Sequence, residues 1–300
     1  MKHPGDEEAE LVRVPGSCRI DLVSSANGRA YRLHVALPRR APPPGGWPAL
    51  LVLDGDAYFG FATDVMRNRG ELAGEISAFV VVAMGYPDDD PEAWHTRRVL
   101  DYTPCAPAEG VLVGDTGGLE GFLDTIEHDV LPMLKERFDV DVGRSALWGH
   151  SLGGLAVLAA LLTRPGLVRS YLAVSPALWV AEADLLQRLQ AFPGRMANLA
   201  EARRVHIAVG ADEEQLPRHM LAADGVDAGR IRAQIARARM AGRARDWADR
   251  LRSLQDTPLG LALDVIAGES HVSVAYAALR PALDMAFGVA PSGPEGDTNP

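Results

Sequence analysis

The chain has 300 residues, of which 47% are hydrophobic and 23% charged, a composition that predicts one large hydrophobic core and excludes a disordered or fibrous chain. Forty acidic and thirty basic residues give a net charge of -10, which argues against binding to nucleic acid or to anionic lipid surfaces. The two cysteines, Cys18 and Cys105, are too few for a disulfide framework or a cysteine zinc site.

The N-terminal sequence does not predict export. Met1–Glu10 contains four acidic residues and lacks the apolar stretch of a secretory signal. The longest apolar run, Leu152–Leu162, is about half of the roughly 20 residues that a membrane-spanning helix needs. We therefore expect a cytoplasmic protein with no membrane partner.

The first two predicted elements are the strands of a β-hairpin. Residues Cys18–Val23 and Tyr31–Leu37 alternate apolar and polar side chains. Between them lies Asn27-Gly28, a dipeptide that supplies the positive φ angles of a tight turn. The chain is therefore expected to open with an antiparallel pair of strands.

Six continuous apolar runs come after a proline-rich connection at Pro38–Pro48, and turn residues follow each of them. Such runs predict strands that are buried on both faces of a sheet. They are Ala49–Leu53, Ala78–Met84, Ser145–Trp148, Tyr171–Val174, Val205–Val209 and Leu261–Ile266.

Helical patterns lie between several of these runs. The clearest is Leu119–Phe138, where apolar residues recur at spacings of three and four. The alternation predicts the α/β class, with a mostly parallel central sheet, antiparallel N-terminal strands at one edge and helices on both faces. We predict a single domain over residues 1–289, with a helical insertion at about 216–256, and a flexible C-terminal tail at 290–300.

A candidate nucleophile lies between a predicted strand and a predicted helix. The pentapeptide Gly149–Gly153, with sequence GHSLG, joins the strand Ser145–Trp148 to the apolar helix Leu155–Leu162. This context is typical of a nucleophile elbow, a sharp turn that exposes the serine hydroxyl, so Ser151 is the predicted nucleophile. The next backbone N–H, that of Leu152, is expected at a helix N-terminus, where it can stabilise a developing oxyanion.

A serine hydroxyl needs a base to remove its proton, and on this architecture the chain order is serine, acid, histidine. Three histidines follow Ser151. His206 lies inside an apolar strand, where a core role is favoured, and His219 precedes the helical insertion. His271 stands just after the last predicted strand and just before the last helix, so it is the predicted base.

The acid that orients this histidine is expected after the strand Val205–Val209, where three acidic residues are adjacent. Glu213 is the first choice, with Asp212 and Glu214 as alternatives. Only one of them can point toward the imidazole, and the sequence does not distinguish them. A Ser-His dyad without an acid stays open as a further alternative.

The second oxyanion donor of such a site normally comes from the loop after the third strand. Here that loop is Leu53–Asp56, and the N–H of Asp56, after a flexible glycine, is the candidate. Asp54 and Asp56 could also be read as metal ligands, but the further oxygen ligands of a calcium loop are absent from the sequence. We therefore predict no metal and no organic cofactor.

Several segments resemble the IroE-type ferri-siderophore esterases, within a larger esterase group of α/β hydrolases. The similar segments spread along most of the chain and are Leu53–Asp56, Val82–Pro87, Arg97–Pro104, Gly149–Leu155, Ser175–Trp179 and Gly268–His271. The resemblance implies an α/β-hydrolase fold and ester hydrolysis through Ser151 and His271. The implied partner is a small-molecule ester, such as an anionic catecholate siderophore trilactone.

Three further side chains are candidates for substrate binding. Arg98 either holds an anionic part of the substrate or braces its loop by pairing with Asp101, and bracing is the favoured interpretation. Trp94 and Trp179 either line the pocket or pack in the core.

The predicted insertion is strongly basic. Eight arginines lie between Arg230 and Arg252 against two acidic residues, Asp246 and Asp249, which gives a local charge of +6. This segment is either a solvated helical face, the favoured interpretation, or a basic cap that attracts anionic aryl substrates.

The sequence as a whole predicts a serine esterase that works through an acyl-enzyme. The alternatives are an acyltransferase or thioesterase on the same scaffold, and a catalytically inactive hydrolase fold that binds a ligand.

Overall fold

We describe the protein from a computed structural model, which covers residues 13–88, 90–106, 112, 114–216, 227–254 and 257–289. The expectations for Met1–Glu10, for the tail at 290–300 and for part of the helical insertion lie outside the described residues. No helix within the covered ranges has the length and hydrophobicity that a membrane crossing requires.

Eight strands of the described chain form one sheet. They are β1 Ser17–Val23, β2 Ala30–Ala36, β3 Ala49–Val52, β4 Val80–Gly85, β5 Ala146–His150, β6 Ser170–Val174, β7 Arg203–Gly210 and β8 Leu259–Ile266. Their order across the sheet is β1-β2-β4-β3-β5-β6-β7-β8. β2 is antiparallel to both β1 and β4, whereas the pairs from β4 to β8 are parallel. The predicted mostly parallel sheet with an antiparallel N-terminal edge is confirmed.

Helices cover both faces of this sheet. They are α1 Gly55–Val65, α2 Pro91–Tyr102, α3 Leu119–Asp124, α4 Leu131–Phe138, α5 Leu152–Thr163, α6 Glu182–Met196, α7 Ala228–Ala238, α8 Met240–Arg252, α9 Val274–Ala277 and α10 Leu279–Phe287. A π-helical segment, Thr125–Val130, joins α3 to α4, so the helix predicted over Leu119–Phe138 is continuous.

The alternation of side chains along the strands divides the core into two layers. In β3, Leu51 faces the layer formed with α2 to α6 and α8, whereas Leu50 faces the layer formed with α1, α9 and α10. Both leucines are fully buried, because each face of the central strands has its own helical cover. This double cover explains why the central strands read as continuous apolar runs.

The predicted antiparallel pair of β1 and β2 is confirmed, but the turn between the strands is wider than the tight turn expected at Asn27-Gly28. Six residues join β1 to β2, and the bond from the Ser24 N–H to the Arg29 carbonyl, at 2.8 Å, closes the loop. Gly28 has the expected positive φ, 69°. The loop is wide because Asn27 turns its amide toward the neighbouring helix, where its Nδ2 donates to the Gly121 carbonyl at 2.9 Å.

β8 also differs from its prediction. Its residues are half-buried or exposed rather than buried on both faces. The reason is its position at the edge of the sheet, where β7 is its one strand neighbour among the described residues.

Candidate active site

Ser151 lies at a strained turn between β5 and α5. Its φ and ψ are 60° and -116°, a conformation that a non-glycine residue rarely adopts. A Cβ on Gly149 would lie 2.4 Å from the Gly153 carbonyl oxygen, and one on Gly154 would lie 2.7 Å from the Val174 carbonyl oxygen. A Cβ on Gly153 would meet nothing closer than 3.4 Å. The turn therefore needs glycine at 149 and 154, whereas position 153 has room for a Cβ.

His271 brings a ring nitrogen to the Ser151 hydroxyl. It follows β8 and precedes α9, and its Nε2 lies 3.1 Å from Ser151 Oγ. On the other side of the ring, Nδ1 lies 2.7 Å from Glu213 Oε2. Three side chains from the ends of three strands thus form one continuous line of hydrogen bonds.

Glu213 lies in a short helical turn, Ala211–Glu214, directly after β7. Its side chain is 1% exposed, and Oε1 accepts hydrogen bonds from the Gly210 N–H at 2.7 Å and from the Ser175 hydroxyl. Burial acts to raise the pKa of Glu213, but the hydrogen bonds from His271 and Ser175 outweigh it and lower the pKa. The carboxylate is therefore ionised where it meets the imidazole.

The two neighbouring acids have other partners. Asp212 Oδ1 accepts a hydrogen bond from Gln215 Nε2 at 3.2 Å, and Glu214 Oε1 accepts one from the Gly242 N–H at 2.8 Å. Of the three candidates, Glu213 is the one that contacts the imidazole.

The two candidate oxyanion donors each begin a helix. Leu152 is the first residue of α5 and Asp56 is the second residue of α1, so neither N–H has an acceptor one turn earlier within its own helix. The Asp56 side chain is turned toward β2, where its carboxylate accepts a hydrogen bond from His34 Nε2 at 3.0 Å. This bond is the main reason that the pKa of Asp56 is lowered.

Arg98 braces the loop after β3, but its partner is not the predicted one. Its Nε and Nη2 bond the two carboxylate oxygens of Asp54 at 2.6 and 2.9 Å, and Nη2 also donates to the His150 carbonyl at 3.3 Å. The predicted partner, Asp101, points to the start of β2 instead and pairs there with Arg29. The carboxylate of Asp54, which the sequence also offered as a metal ligand, is thus paired with Arg98.

A cleft of about 480 Å³ contains Ser151 and His271. Arg98 and His95 belong to its lining. Apolar side chains from several elements also line it, and these are Leu112, Trp179, Val180, Ile231, Ile235 and Met240.

The two tryptophans proposed for substrate binding lie in different pockets. Of the two alternatives for Trp179, the structure shows the first, because its side chain lines the cleft. Trp94 instead lines a separate depression together with Asp56. The Arg98 guanidinium lies 5.7 Å from the centroid of the Trp94 ring. Arg98 lines the cleft, whereas Trp94 does not.

The basic insertion gives the cleft an apolar wall. Along α7, Ile231, Ile235 and Ala238 recur at helical spacing and line the cleft, whereas the arginines of the described insertion do not. The Arg237 guanidinium lies 5.7 Å from the ring centroid of Trp179, and Arg243 pairs with Glu182 at 3.0 Å.

Sequence reasoning missed several residues of the site. His150 and Tyr58 contact each other beside Ser151, at 3.1 Å between Tyr58 Oη and His150 Nδ1, and Ser175 bonds Glu213. The i, i+4 spacing of Ile231 and Ile235 was a readable signal for the apolar wall. The contacts of His150 and Ser175 depend on side-chain directions, which the spacing does not encode.

The chain is similar to known esterases. The model of the "Putative esterase" family matches residues 24–253. Ferri-bacillibactin esterase BesA of Bacillus subtilis is 30% identical over 292 residues, which cover 94% of this chain and 92% of that protein. Apo-salmochelin esterase of Escherichia coli O6:H1 is 33% identical over 54% of this chain and 52% of its own length. The solved structure of siderophore hydrolase EstB from Aspergillus nidulans superposes with a TM-score of 0.79 at 27% identity, over 95% of this chain and 99% of that one.

Proposed function

Because the chain belongs to the "Putative esterase" family, we propose that it is a serine hydrolase that cleaves carboxylic esters through an acyl-enzyme at Ser151. The observation that carries the proposal is the line of hydrogen bonds from Ser151 through His271 to Glu213, at 3.1 and 2.7 Å. These distances lie within the reach that proton transfer to and from a base requires.

In the proposed reaction His271 acts first as a base. Its Nε2 accepts the hydroxyl proton of Ser151 while Oγ attacks the ester carbonyl carbon. Glu213, whose pKa is lowered, keeps its charge and stabilises the imidazolium that forms. The imidazolium then gives its proton to the leaving alcohol oxygen, which leaves the acyl group on Ser151.

The backbone N–H groups of Leu152 and Asp56 are proposed to stabilise the oxyanion. Each stands at the N-terminus of a helix, where N–H groups lack an intrahelical acceptor and the helix dipole favours negative charge. Water then attacks the acyl-enzyme, with His271 again as the base, and releases the acid and free Ser151.

A ferri-siderophore ester of the catecholate class is the proposed substrate. BesA, whose name gives ferri-bacillibactin as its substrate, is covered over 92% of its length by this chain. The apolar wall formed by Trp179 and Ile231 suits the aromatic ring of such a substrate, and Arg98 in the lining of the same cleft suits its anionic oxygens. In this proposal α7 and α8 are an insertion within a single domain and form one wall of the substrate cleft.

A hydrolysis panel tests the proposal. Short nitrophenyl esters, feruloyl esters, and ferric and iron-free catecholate trilactones are compared by kcat/KM. We expect turnover of the nitrophenyl esters and a preference for the trilactones. A preference for acyl transfer to an added alcohol over hydrolysis would contradict the hydrolase assignment.

Ser151→Ala is the decisive variant. We expect kcat to fall by about 10⁶-fold, because the nucleophile is lost, and labelling by a fluorophosphonate probe to disappear. Ser253→Ala, at an exposed serine that follows α8, is the matched control and should keep full activity. Unchanged turnover in Ser151→Ala would refute the assignment.

A further inference from the structure

His150 connects three parts of the site: the turn of Ser151, helix α1 and the loop that carries His271. It is the last residue of β5, directly before Ser151, and it is 7% exposed. Its Nε2 lies 2.6 Å from the backbone carbonyl oxygen of His271. Its Nδ1 lies 3.1 Å from the hydroxyl of Tyr58 on α1.

These partners determine which nitrogen of His150 carries the proton. A backbone carbonyl can only accept a hydrogen bond, so Nε2 is the protonated nitrogen and Nδ1 accepts the bond from Tyr58. Burial and the neighbouring His271 lower the pKa of His150 to about 3, and burial raises the pKa of Tyr58 to about 12. Near neutral pH the ring is therefore neutral and held in one tautomer.

The His271 loop needs support of this kind. The side chain of His271 is 43% exposed, and its residue lies in a turn between β8 and α9. The Asp212 N–H bonds the Glu269 carbonyl at 3.1 Å, which fixes the start of the turn, and His150 bonds the turn at His271 itself. The rings of His150 and His271 also touch, with their centroids 4.7 Å apart.

The distance from Ser151 to the imidazole leaves little tolerance. Oγ and Nε2 are 3.1 Å apart, close to the upper limit of about 3.2 Å for a nucleophile and its base. An outward shift of the His271 backbone by about half an ångström would take the pair beyond the range that proton transfer requires.

We propose that His150 is a positioning residue for proton transfer: its Nε2–H holds the carbonyl of His271 and thereby sets the distance between the imidazole and Ser151 Oγ, while Tyr58 holds the His150 tautomer. The inference rests on the proposed function, since it assigns His150 a part in the same reaction. His150 itself touches neither the ester nor a transferred proton.

Three replacements of His150 separate this role from packing. His150→Gln places an amide N–H close to the position of imidazole Nε2 and keeps the bond to His271. His150→Asn is also polar, but its amide ends near the position of Nδ1 and does not reach that carbonyl. His150→Leu is apolar and similar in size. His206→Leu is the control, because His206 is buried on β7 and bonds Asp264 at 2.8 Å, outside the cleft.

The readouts are kcat and KM on a nitrophenyl ester and the rate of fluorophosphonate labelling. We expect His150→Leu and His150→Asn to lower kcat by about 10²-fold, since a small misplacement of a catalytic group costs about that much, with KM nearly unchanged. His150→Gln should recover most of this loss, and Tyr58→Phe should lower kcat by a smaller factor. Labelling of Ser151 should slow in parallel.

Equal kcat in the Gln, Asn and Leu variants would overturn the inference, and if Leu does not fold, the Gln and Asn variants decide. If the wild-type protein is labelled at Ser151 and hydrolyses esters, and the variants keep its kcat, the positioning role alone is wrong. If the wild-type protein is neither labelled nor active, the proposed function is wrong. The two failures are therefore distinguishable.

Discussion

Removing one partner of the buried pair of Arg98 and Asp54 should destabilise the protein strongly, and Arg98→Met tests this expectation. The guanidinium bonds both carboxylate oxygens, at 2.6 and 2.9 Å, and the two side chains are 12% and 4% exposed. Methionine keeps most of the apolar length of the arginine but leaves the carboxylate buried without its cation. Removing one partner of a buried pair costs about 3 to 5 kcal/mol in the free energy of unfolding.

Urea unfolding near neutral pH is the assay, and Arg252→Met is its control. Arg252 pairs with Asp249 at 2.9 Å, but these side chains are 48% and 75% exposed, so the control should lose less than about 1 kcal/mol. The double variant Arg98→Met, Asp54→Asn should regain part of the loss, because no unpaired charge then stays buried.

The pH dependence gives a second check on this pair. Burial raises the pKa of Asp54, and Arg98 acts against that rise. Without the arginine the folded state should bind a proton more readily than the unfolded chain, so the deficit of Arg98→Met should shrink as the pH falls from about 7 to about 5. A deficit no larger than that of Arg252→Met, or one that does not change with pH, would refute the buried, charged pair.

Three other changes test the site. Glu213→Gln keeps the size of the side chain but removes the charge that stabilises protonated His271, so we expect kcat to fall by about 10⁴-fold in the ester assay, and a change below tenfold would favour a Ser-His dyad. His150→Gln should make stability less sensitive to acid. The pKa of His150 is lowered from 6.5 to about 3, so near pH 5 the unfolded chain binds a proton that the folded protein does not. The free energy of unfolding of the wild type should therefore fall by about 2 kcal/mol between about pH 7 and about pH 5. Urea unfolding at both pH values measures this, and parallel losses in the two proteins would contradict it. Arg237→Glu should raise KM equally for neutral and anionic esters if the insertion is a solvated face, whereas a larger rise for the anionic ester would support a basic cap.

The sequence singled out the candidate nucleophile and the candidate base because their signals are local or topological. The Gly-x-Ser-x-Gly pentapeptide between strand and helix singled out Ser151, and the order of strands singled out His271. The direction of a side chain within a turn carries no such signal. Among the three adjacent acids, the turn Ala211–Glu214 directs Glu213 to the imidazole and directs Asp212 elsewhere.

Contacts between distant segments were the least predictable. Arg98 was expected to brace its loop, and it does, but the choice between Asp54 and Asp101 depends on which side of α2 faces which strand end. The contacts of His150 depend on the three-dimensional path of the loop after β8. Spacing along the chain does not determine that path.

The order of the parallel strands explains why the candidate base needs so much support. The candidate nucleophile follows β5, the candidate acid follows β7 and the candidate base follows β8, which lies three strands from β5. At about 4.8 Å per strand, the loop after β8 must carry its histidine back across about 14 Å of the sheet edge to reach Ser151. β7 is crossed on the way, and the turn that follows it supplies both Glu213 and the N–H of Asp212 that bonds the loop. β5 supplies the last contact through His150, so the strand that bears the nucleophile also fixes the backbone of the base. A loop that is bonded at both of these strands holds its imidazole at a defined distance from Ser151. A loop that is bonded at β8 alone would leave the imidazole free to move at the edge of the sheet.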